Sequence, residues 1–422
     1  MTKTLFRAHL LAAAAVAALA APLPTDAAGF FLKEQSVSGQ GTSFAGITAG
    51  GNGDASAMFY NPAALGLVKG GQVVQTVTGI MPKSEVESAS ATRRPAFGGG
   101  AVAGTSEIDD IAQDAIVPAG YLAYSISDDL NLGVSMNAPW GLVTKYPADW
   151  VGRTHGIRSS LRTVNITPTV SYRVNSMLTI GGGVQFQYAK AKLSSAVDAG
   201  ILTVLGDAVG DDWGWGMTAG IMLEPAKGTR LGLSYRSAVK HELEGTLTFS
   251  PTAGMFTTQA IDAKLVTPEV VNFGAVHEVS PNWAVMADIQ WTNWSRFRTL
   301  QVNATNPLLN SVTEEHWKDT WFYALGTSYK VTDALTLRTG IAYDKGAVGT
   351  DFRTPRIPEQ DRYWLSVGAG YKVTENLQID AAYTHVFIPK TRIDLTDTTR
   401  GNLRADYNSS IDIIGVQARL SF

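Results

Sequence analysis

The sequence predicts an all-β fold: a fourteen-stranded antiparallel transmembrane β-barrel with an N-terminal hatch inside its lumen. Three observations carry that prediction. Charged residues make up only 17% of the 422 residues, against about 25% in soluble chains, while glycine numbers 42 and aromatic residues reach 9%. A hairpin signal recurs along the chain. The last residue, Phe422, stands on the apolar face of an alternating strand, with Leu420, Ala418, Val416 and Ile414. Beyond residue 30 no stretch approaches the ~18 apolar residues of a membrane helix, which removes a helical bundle.

Composition also narrows the chemistry. The chain has no cysteine, which excludes thiol nucleophiles, cysteine-ligated metals and disulfides. A net charge of −3 gives no basic field for nucleic acid. No HExxH, GxSxG or phosphate-loop pattern occurs, so neither catalysis nor a metal or organic cofactor is expected.

The elements follow in chain order. Lys3 and Arg7, the apolar core Leu10–Leu23 and the small residues around Ala27 read as an export signal over residues 1–27, with a mature start at Ala28. Residues 28–69 do not alternate. Phe30, Phe31, Phe44, Phe59, Tyr60, Leu65 and Leu67 make them too apolar for a solvated linker. A fourteen-strand lumen is too wide for wall side chains to fill, so this segment is expected to be a hatch. Residues 70–422 supply the barrel. Tyr124–Gly133 and Tyr172–Gly181 echo each other, with further copies at His277, Tyr329 and Tyr371 and a looser one at Leu223. Each is a strand end, a tight turn and a new alternating strand. These turns imply strands beginning near 70, 116, 130, 160, 177, 211, 229, 260, 283, 317, 335, 361, 377 and 409, with short periplasmic turns and long external loops. In the external segment Leu193–Gly210, Ile201, Val204, Leu205 and Val209 have the spacing of an amphipathic helix face, either a capture patch for a hydrophobic ligand or the loop's own packing.

Several stretches carry a resemblance: Ala28–Gly41, Asn61-Pro62-Ala63, Asn137–Leu142, Trp150–His155, Gly210–Gly216 with Arg230–Arg236, and Thr354–Pro358 through Asp361–Trp364. In this order they resemble the FadL family of outer-membrane long-chain fatty-acid transporters, which includes relatives admitting toluene. The resemblance implies capture of a fatty acid or other hydrophobic small molecule by outer loops, an apolar lumen pocket, and sideways release through a gap at a kink in the third strand. It also implies a multi-pass bacterial outer-membrane protein that is not an enzyme.

Candidate ligand contacts are Phe30, Phe59, Tyr60, Trp140, Trp150, Arg153, Arg158, Ile201 and Leu205. The arginines suit a carboxylate, although lipopolysaccharide phosphates or loop acids are equal partners for them. Asn137, Ala138 and Pro139 mark the expected gap, because proline cannot donate to a strand ladder; the alternative is that Pro139 only ends the strand. Asn61, Pro62 and Ala63 are the hatch motif, either a tie to the wall or simply a turn start. Phe422 is the expected signal for the barrel-insertion machinery. Outer-membrane lipid and lipopolysaccharide are the expected surroundings, and a barrel with its own pore is expected to be a monomer. A toluene-type channel and a water-filled porin are the competing readings; a porin strand starts soon after the export signal, without a segment like 28–69.

Overall fold

Alternation with period two, sustained through the chain, dictates a wall with one face in lipid and one in the lumen. The structure is a computed structural model that describes residues 29–198, 203–250 and 257–422. The expected export signal and Ile201 lie outside the described residues. The wall segments are β1 (Gly71–Ala91), β2 (Ala115–Ser125), β3 (Leu130–Asn137), β4 (Gly141–Lys145), β5 (Arg158–Arg173), β6 (Leu178–Asp198), β7 (Thr203–Ala226), β8 (Thr229–Arg236), β9 (Val239–Ser250) and β10 (Gln259–Thr267). They continue with β11 (Val270–Ser280), β12 (Trp283–Thr292), β13 (Thr299–Ala304), β14 (Ser311–Glu314), β15 (Thr320–Lys330), β16 (Leu335–Asp344), β17 (Arg362–Lys372), β18 (Leu377–Leu395) and β19 (Leu403–Ser421). Five wall strands come in two pieces (β3/β4, β8/β9, β10/β11, β12/β13 and β14/β15), so the 19 segments build fourteen antiparallel wall strands. β1 pairs with both β2 and β19, from Gln72 opposite Ser421 to Ala91 opposite Leu403. This closure joins the first and last strands, so neither end of the sheet is left as a free edge.

The recurring motif has a structural meaning. Its tyrosines Tyr124, Tyr172, Tyr329 and Tyr371 all face outward just before tight turns, forming an aromatic girdle at the periplasmic end. Trp213, Trp321, Tyr343 and Tyr363 form the matching girdle nearer the outer end. Between them the outward residues are apolar, such as Leu325, Ile341, Val367 and Val416.

The hatch occupies the lumen. It contains the short helix α1 (Val37–Gln40) and 3-10 turns at Ile47–Ala49, Ala55–Phe59 and Pro62–Leu67. Short polar residues start three of these: Ser36, Asp54 and Asn61 each accept a backbone N–H two or three residues on. Pro62 follows Asn61 at the first position of its turn, where a missing N–H costs nothing. Wall glycines admit the hatch. A Cβ on Gly232 would lie 2.0 Å from the Thr48 carbonyl oxygen, and one on Gly220 would lie 1.9 Å from Asn61 Oδ1. Much of the glycine excess therefore marks where hatch backbone meets wall backbone.

One expectation is corrected. Leu193–Gly210 carries no helix among its described residues. β6 runs to Asp198 and β7 starts at Thr203, so the segment is the top of a long hairpin. Val204 is buried and its neighbour Leu205 is exposed, on opposite faces of the ribbon. The i, i+3/i+4 spacing of apolar residues was a by-product of glycines interrupting a two-residue repeat. The β9 strand supplies the second row of backbone partners that holds Leu205–Asp211 extended.

Candidate ligand-binding site and wall gap

Inward-facing residues change character along each strand. In β5 the lower inward positions are polar (Asn165, Thr167, Thr169, Ser171), and Leu161 stands between Thr163 and Ser159 in the upper part. In β6, Thr179, Gln185 and Gln187 give way to Ala189, Ala191 and Leu193. The polar lower half meets the hatch, and the apolar upper half lines a cleft of about 780 Å³, a figure that includes its open, solvent-facing side. Leu142, Leu161, Leu243, Leu265 and Phe297 are among its walls, and Phe30 of the hatch is also in its lining. A larger groove of about 1640 Å³, lined by Phe249, Leu308 and Leu309, adjoins it on the outer side and shares Leu193, Leu300 and Arg356 with it.

The cavity's polar side chains are few: Ser159, Ser160, Lys264, Glu315 and Arg356. Arg356 belongs to the outer segment between β16 and β17, and it lines both the cavity and the groove. Its Nη1 donates to Ser159 Oγ at 3.2 Å and to the carbonyl oxygens of Arg158 and Ser194. Among the described residues no carboxylate lies within ion-pair distance of it. Burial pushes its guanidinium down to about 10, so it remains charged at neutral pH. Glu315 is wholly buried above the outer end of β15, and burial pushes its carboxyl up to about 8 while Arg356 pulls the other way.

The base of the cavity is aromatic. The Phe30 ring packs edge-on against Trp294 at 4.6 Å, Phe297 at 5.6 Å and Trp140 at 5.8 Å. Gly29, at φ +57°, brings the chain so close that a Cβ there would strike Trp294.

Beside this box the wall pairing is interrupted. β3 leaves β2 after Met136, and β4 resumes at Gly141 paired only with β5. On the other side, Ala115–Ala119 of β2 pair only with β1. Hatch groups take the vacant positions on the kinked segment. Leu32 N–H donates to the Pro139 carbonyl at 2.8 Å, and Gly141 N–H donates to the Phe30 carbonyl at 2.9 Å. The Gln35 amide then acts as a strand surrogate: Nε2 donates to the Ala138 carbonyl (3.0 Å) and Oε1 accepts from Ala138 N–H (3.2 Å). Asn137 Nδ2 donates to Tyr121 Oη, which donates to the Gln35 carbonyl. Beyond the break, Lys145 N–H donates to the Ile111 carbonyl, so an outer loop closes the wall again. Two buried charges sit on the same hatch stretch. Burial lowers the Lys33 ammonium to about 8 and raises the Glu34 carboxyl to about 7.

The other sequence candidates separate. Phe59 and Tyr60 are buried within the hatch, outside the cavity lining. Trp140 belongs to the aromatic base and the kink. Trp150 lies in a separate outer cluster, stacked on Tyr146 at 4.1 Å with Nε1 donating to the Gly156 carbonyl. Arg153 donates to the carbonyls of Ala103, Asp149 and Trp150 in those loops. Arg158 contributes its carbonyl to Arg356, and Leu205 faces outward. Asn61 is fully buried; its Nδ2 donates to the Thr48 carbonyl (2.7 Å) and to the Ile221 carbonyl of β7 (3.1 Å), while Pro62 and Ala63 pack against Gly181. Phe422 faces outward, its backbone exchanging both hydrogen bonds with Gly71. Arg356 and Glu315 escaped the sequence reading. The only signal was that Arg356 lies inside the Thr354–Pro358 stretch that carries the family resemblance.

A family model described as outer membrane protein transport protein (OMPP1/FadL/TodX) matches residues 17–422. The chain belongs to the FadL family. It is 31% identical over 425 residues to the long-chain fatty acid transport protein of Salmonella typhi, covering 93% of this chain and 94% of that one. This FadL-family fold superimposes on the crystal structure of a Pseudomonas aeruginosa FadL homologue with a TM-score of 0.86 at 24% identity, over 94% of this chain and 100% of that chain. The Ralstonia pickettii toluene transporter TbuX gives a TM-score of 0.66 at 19% identity, over 90% and 98% of the two chains. Family and barrel together make this a multi-pass outer-membrane transport protein for hydrophobic compounds.

Proposed function

We propose that the protein carries long-chain fatty acids across the outer membrane and releases them sideways through the wall gap. The observation that supports this most is an apolar cavity with one guanidinium, Arg356, at its junction with the outer groove. Each CH₂ moved out of water into such a cavity gains ~0.8 kcal/mol, while an arginine fork suits a carboxylate head. An amphiphile captured in the groove passes Arg356 and lays its tail over Phe30. Movement of the hatch stretch Phe30–Gln35 then uncovers the gap flanked by Ala115–Ala119 and Ala138–Trp140. A hatch bonded to the wall in this way argues against an open diffusion pore. In this reading the barrel works as a monomer in lipopolysaccharide, with Phe422 recognised during insertion.

The test is uptake of labelled oleate, with toluene as competitor, by cells that lack their own transporter and express this chain. Saturable oleate uptake, lost in Pro139→Val, supports entry through the wall. Background oleate uptake with accelerated toluene entry would favour an aromatic-hydrocarbon channel and remove the role given to Arg356.

A further inference from the structure

Glu315 is a buried carboxyl to which the transport reading gives no role. It stands in the break between β14 and β15, where backbone pairing is suspended for Glu315–Asp319. The residue after it, His316, has φ +46° and is the one non-glycine residue with positive φ outside the hatch among the described residues. Such a conformation is costly for a residue with a Cβ and tends to persist where a side chain must be aimed. Glu315 and Trp317 on either side of it are buried, while Glu314 and His316 are exposed. Glu315 is 2% exposed, lines the same cavity as Arg356, and accepts from Trp317 Nε1 at 3.3 Å. Its N–H donates to the Arg298 carbonyl.

We infer that Glu315 reads the ligand's head: carrying its proton it hydrogen-bonds an anionic headgroup held by Arg356, and without the proton it repels that headgroup and competes for the guanidinium. The cavity then accepts anionic amphiphiles only while Glu315 is protonated, and it is indifferent to protonation when the ligand is neutral. The inference rests on the fatty-acid reading above and adds to it the residue that tells an acid from a hydrocarbon.

The charged groups facing Glu315 are Arg356 and Arg400, and Lys264 lines the cavity with it; the nearby imidazole of His316 is turned out and paired with Glu314 at 3.0 Å. Both arginines favour the ionised carboxylate, yet burial outweighs them and holds the carboxyl up at about 8. A carboxylic acid kept neutral by an apolar site is a hydrogen-bond donor, the property an oxyanion requires.

The experiment uses the full barrel in lipid nanodiscs and two probes of equal chain length, measured against empty nanodiscs. Hexadecyl sulfate stays anionic from pH 6 to 9.5, so any pH dependence belongs to the protein; hexadecanol is neutral throughout. Hexadecyl sulfate affinity is expected to fall about tenfold per pH unit above pH 8 in the wild type and to stay level in Glu315→Gln. Hexadecanol affinity is expected to stay level in both. A wild-type sulfate profile that is level, or one that Glu315→Gln reproduces, overturns the inference while saturable binding leaves the transport reading standing. Absence of saturable hexadecyl sulfate binding at every pH, in both proteins, overturns inference and reading together. A level wild-type sulfate profile overturns the inference even if Glu315→Gln fails to assemble, and Glu315→Asp, which keeps the carboxyl, should keep the fall above pH 8.

Discussion

The lower and upper halves of the lumen solve the same geometric problem in opposite ways. Both are spaces too wide for wall side chains to fill. In the lower half the wall presents glycines and hydrogen-bonding groups. The hatch answers several of them: Thr48 Oγ1 donates to Asp288 Oδ1 at 2.5 Å, Val37 N–H donates to Gln417 Oε1 at 3.1 Å, and Ser43 Oγ donates to Ser366 Oγ at 2.7 Å. In the upper half the same strands present leucine, valine and alanine, and the space stays unfilled. Buried polar groups must be partnered, so a polar wall recruits chain; an apolar wall makes no such demand and leaves room for a guest. The polarity of the inward face decides where protein ends and ligand begins.

That contrast can be broken from below. Gly220→Val is expected to have the largest effect, because the new Cβ falls on Asn61 Oδ1 and the hatch cannot seat without moving. Overpacking of this kind costs about 3 kcal/mol, to be seen as loss of the heat-resistant folded band on gels and a lowered unfolding temperature. Asn61→Ala should cost somewhat less, about 2 kcal/mol, by stranding the Thr48 and Ile221 carbonyls and the Ala63 N–H. An unfolding temperature equal to wild type in Asn61→Ala would mean the motif only starts a turn. From above, Arg356→Gln is expected to weaken binding of a carboxylate ligand about tenfold and leave a neutral hydrocarbon unchanged, the worth of one charge-assisted bond. Equal losses for both ligands would show that Arg356 shapes the cavity rather than reading a head.

The smallest expected effect lies at the boundary between the halves, on Lys33 and Glu34. In the docked hatch Glu34 titrates near 7 instead of its ordinary 4.5, so between those values the docked form holds an extra proton and docking weakens as pH rises. Lys33 titrates near 8 instead of 10.5, so between those values the undocked form holds the extra proton and docking strengthens as pH rises. Docking of Phe30–Gln35 should therefore be weakest between pH 7 and 8. Conductance of the reconstituted barrel across pH 5–10 checks this: opening should peak in that window, with Glu34→Gln flattening the acid limb and Lys33→Met the alkaline limb. A monotonic profile in the wild type would show that these groups stay buried during opening.

The wall was far more legible in the sequence than the site. Alternation is local, and turns such as those after Tyr124, Tyr172 and Tyr371 repeat, so strands starting at 130, 229, 283, 335 and 377 were placed at or beside their true starts. The hatch was legible as a unit because its apolar content contradicted a linker. Strands beginning near 177 and 211 are legible, but the outer part of the β6/β7 hairpin is not, because glycines at 206 and 210 break its two-residue rhythm. The cavity residues were least legible, since Arg356, Glu315 and Phe30 lie on three segments distant in sequence. Only barrel closure brings them to one space, and nothing about an isolated Thr354-Pro355-Arg356 says which way its guanidinium points. Trp150 and Arg153 looked like a recognition pair by composition, yet an indole and a guanidinium serve equally to knit loops together.

The seat of the hatch also sets an order of assembly. The chain delivers the hatch first, but its bonds reach residues very far along: Val37 to Gln417 spans 380 positions, Gln40 to Thr384 spans 344 and Thr48 to Asp288 spans 240. Those three partners lie on late strands, so Thr48 Oγ1, the Gln40 amide and the Val37 N–H wait for Asp288, Thr384 and Gln417, whereas Asn61 and Gln35 find partners within the hatch or as early as Ala138. Closing loops of that length is entropically slow, and a partly built barrel exposes a polar trough that needs its occupant. The seam where β1 meets β19 is thus the last joint to form, drawn shut around a segment that has waited since the start of synthesis.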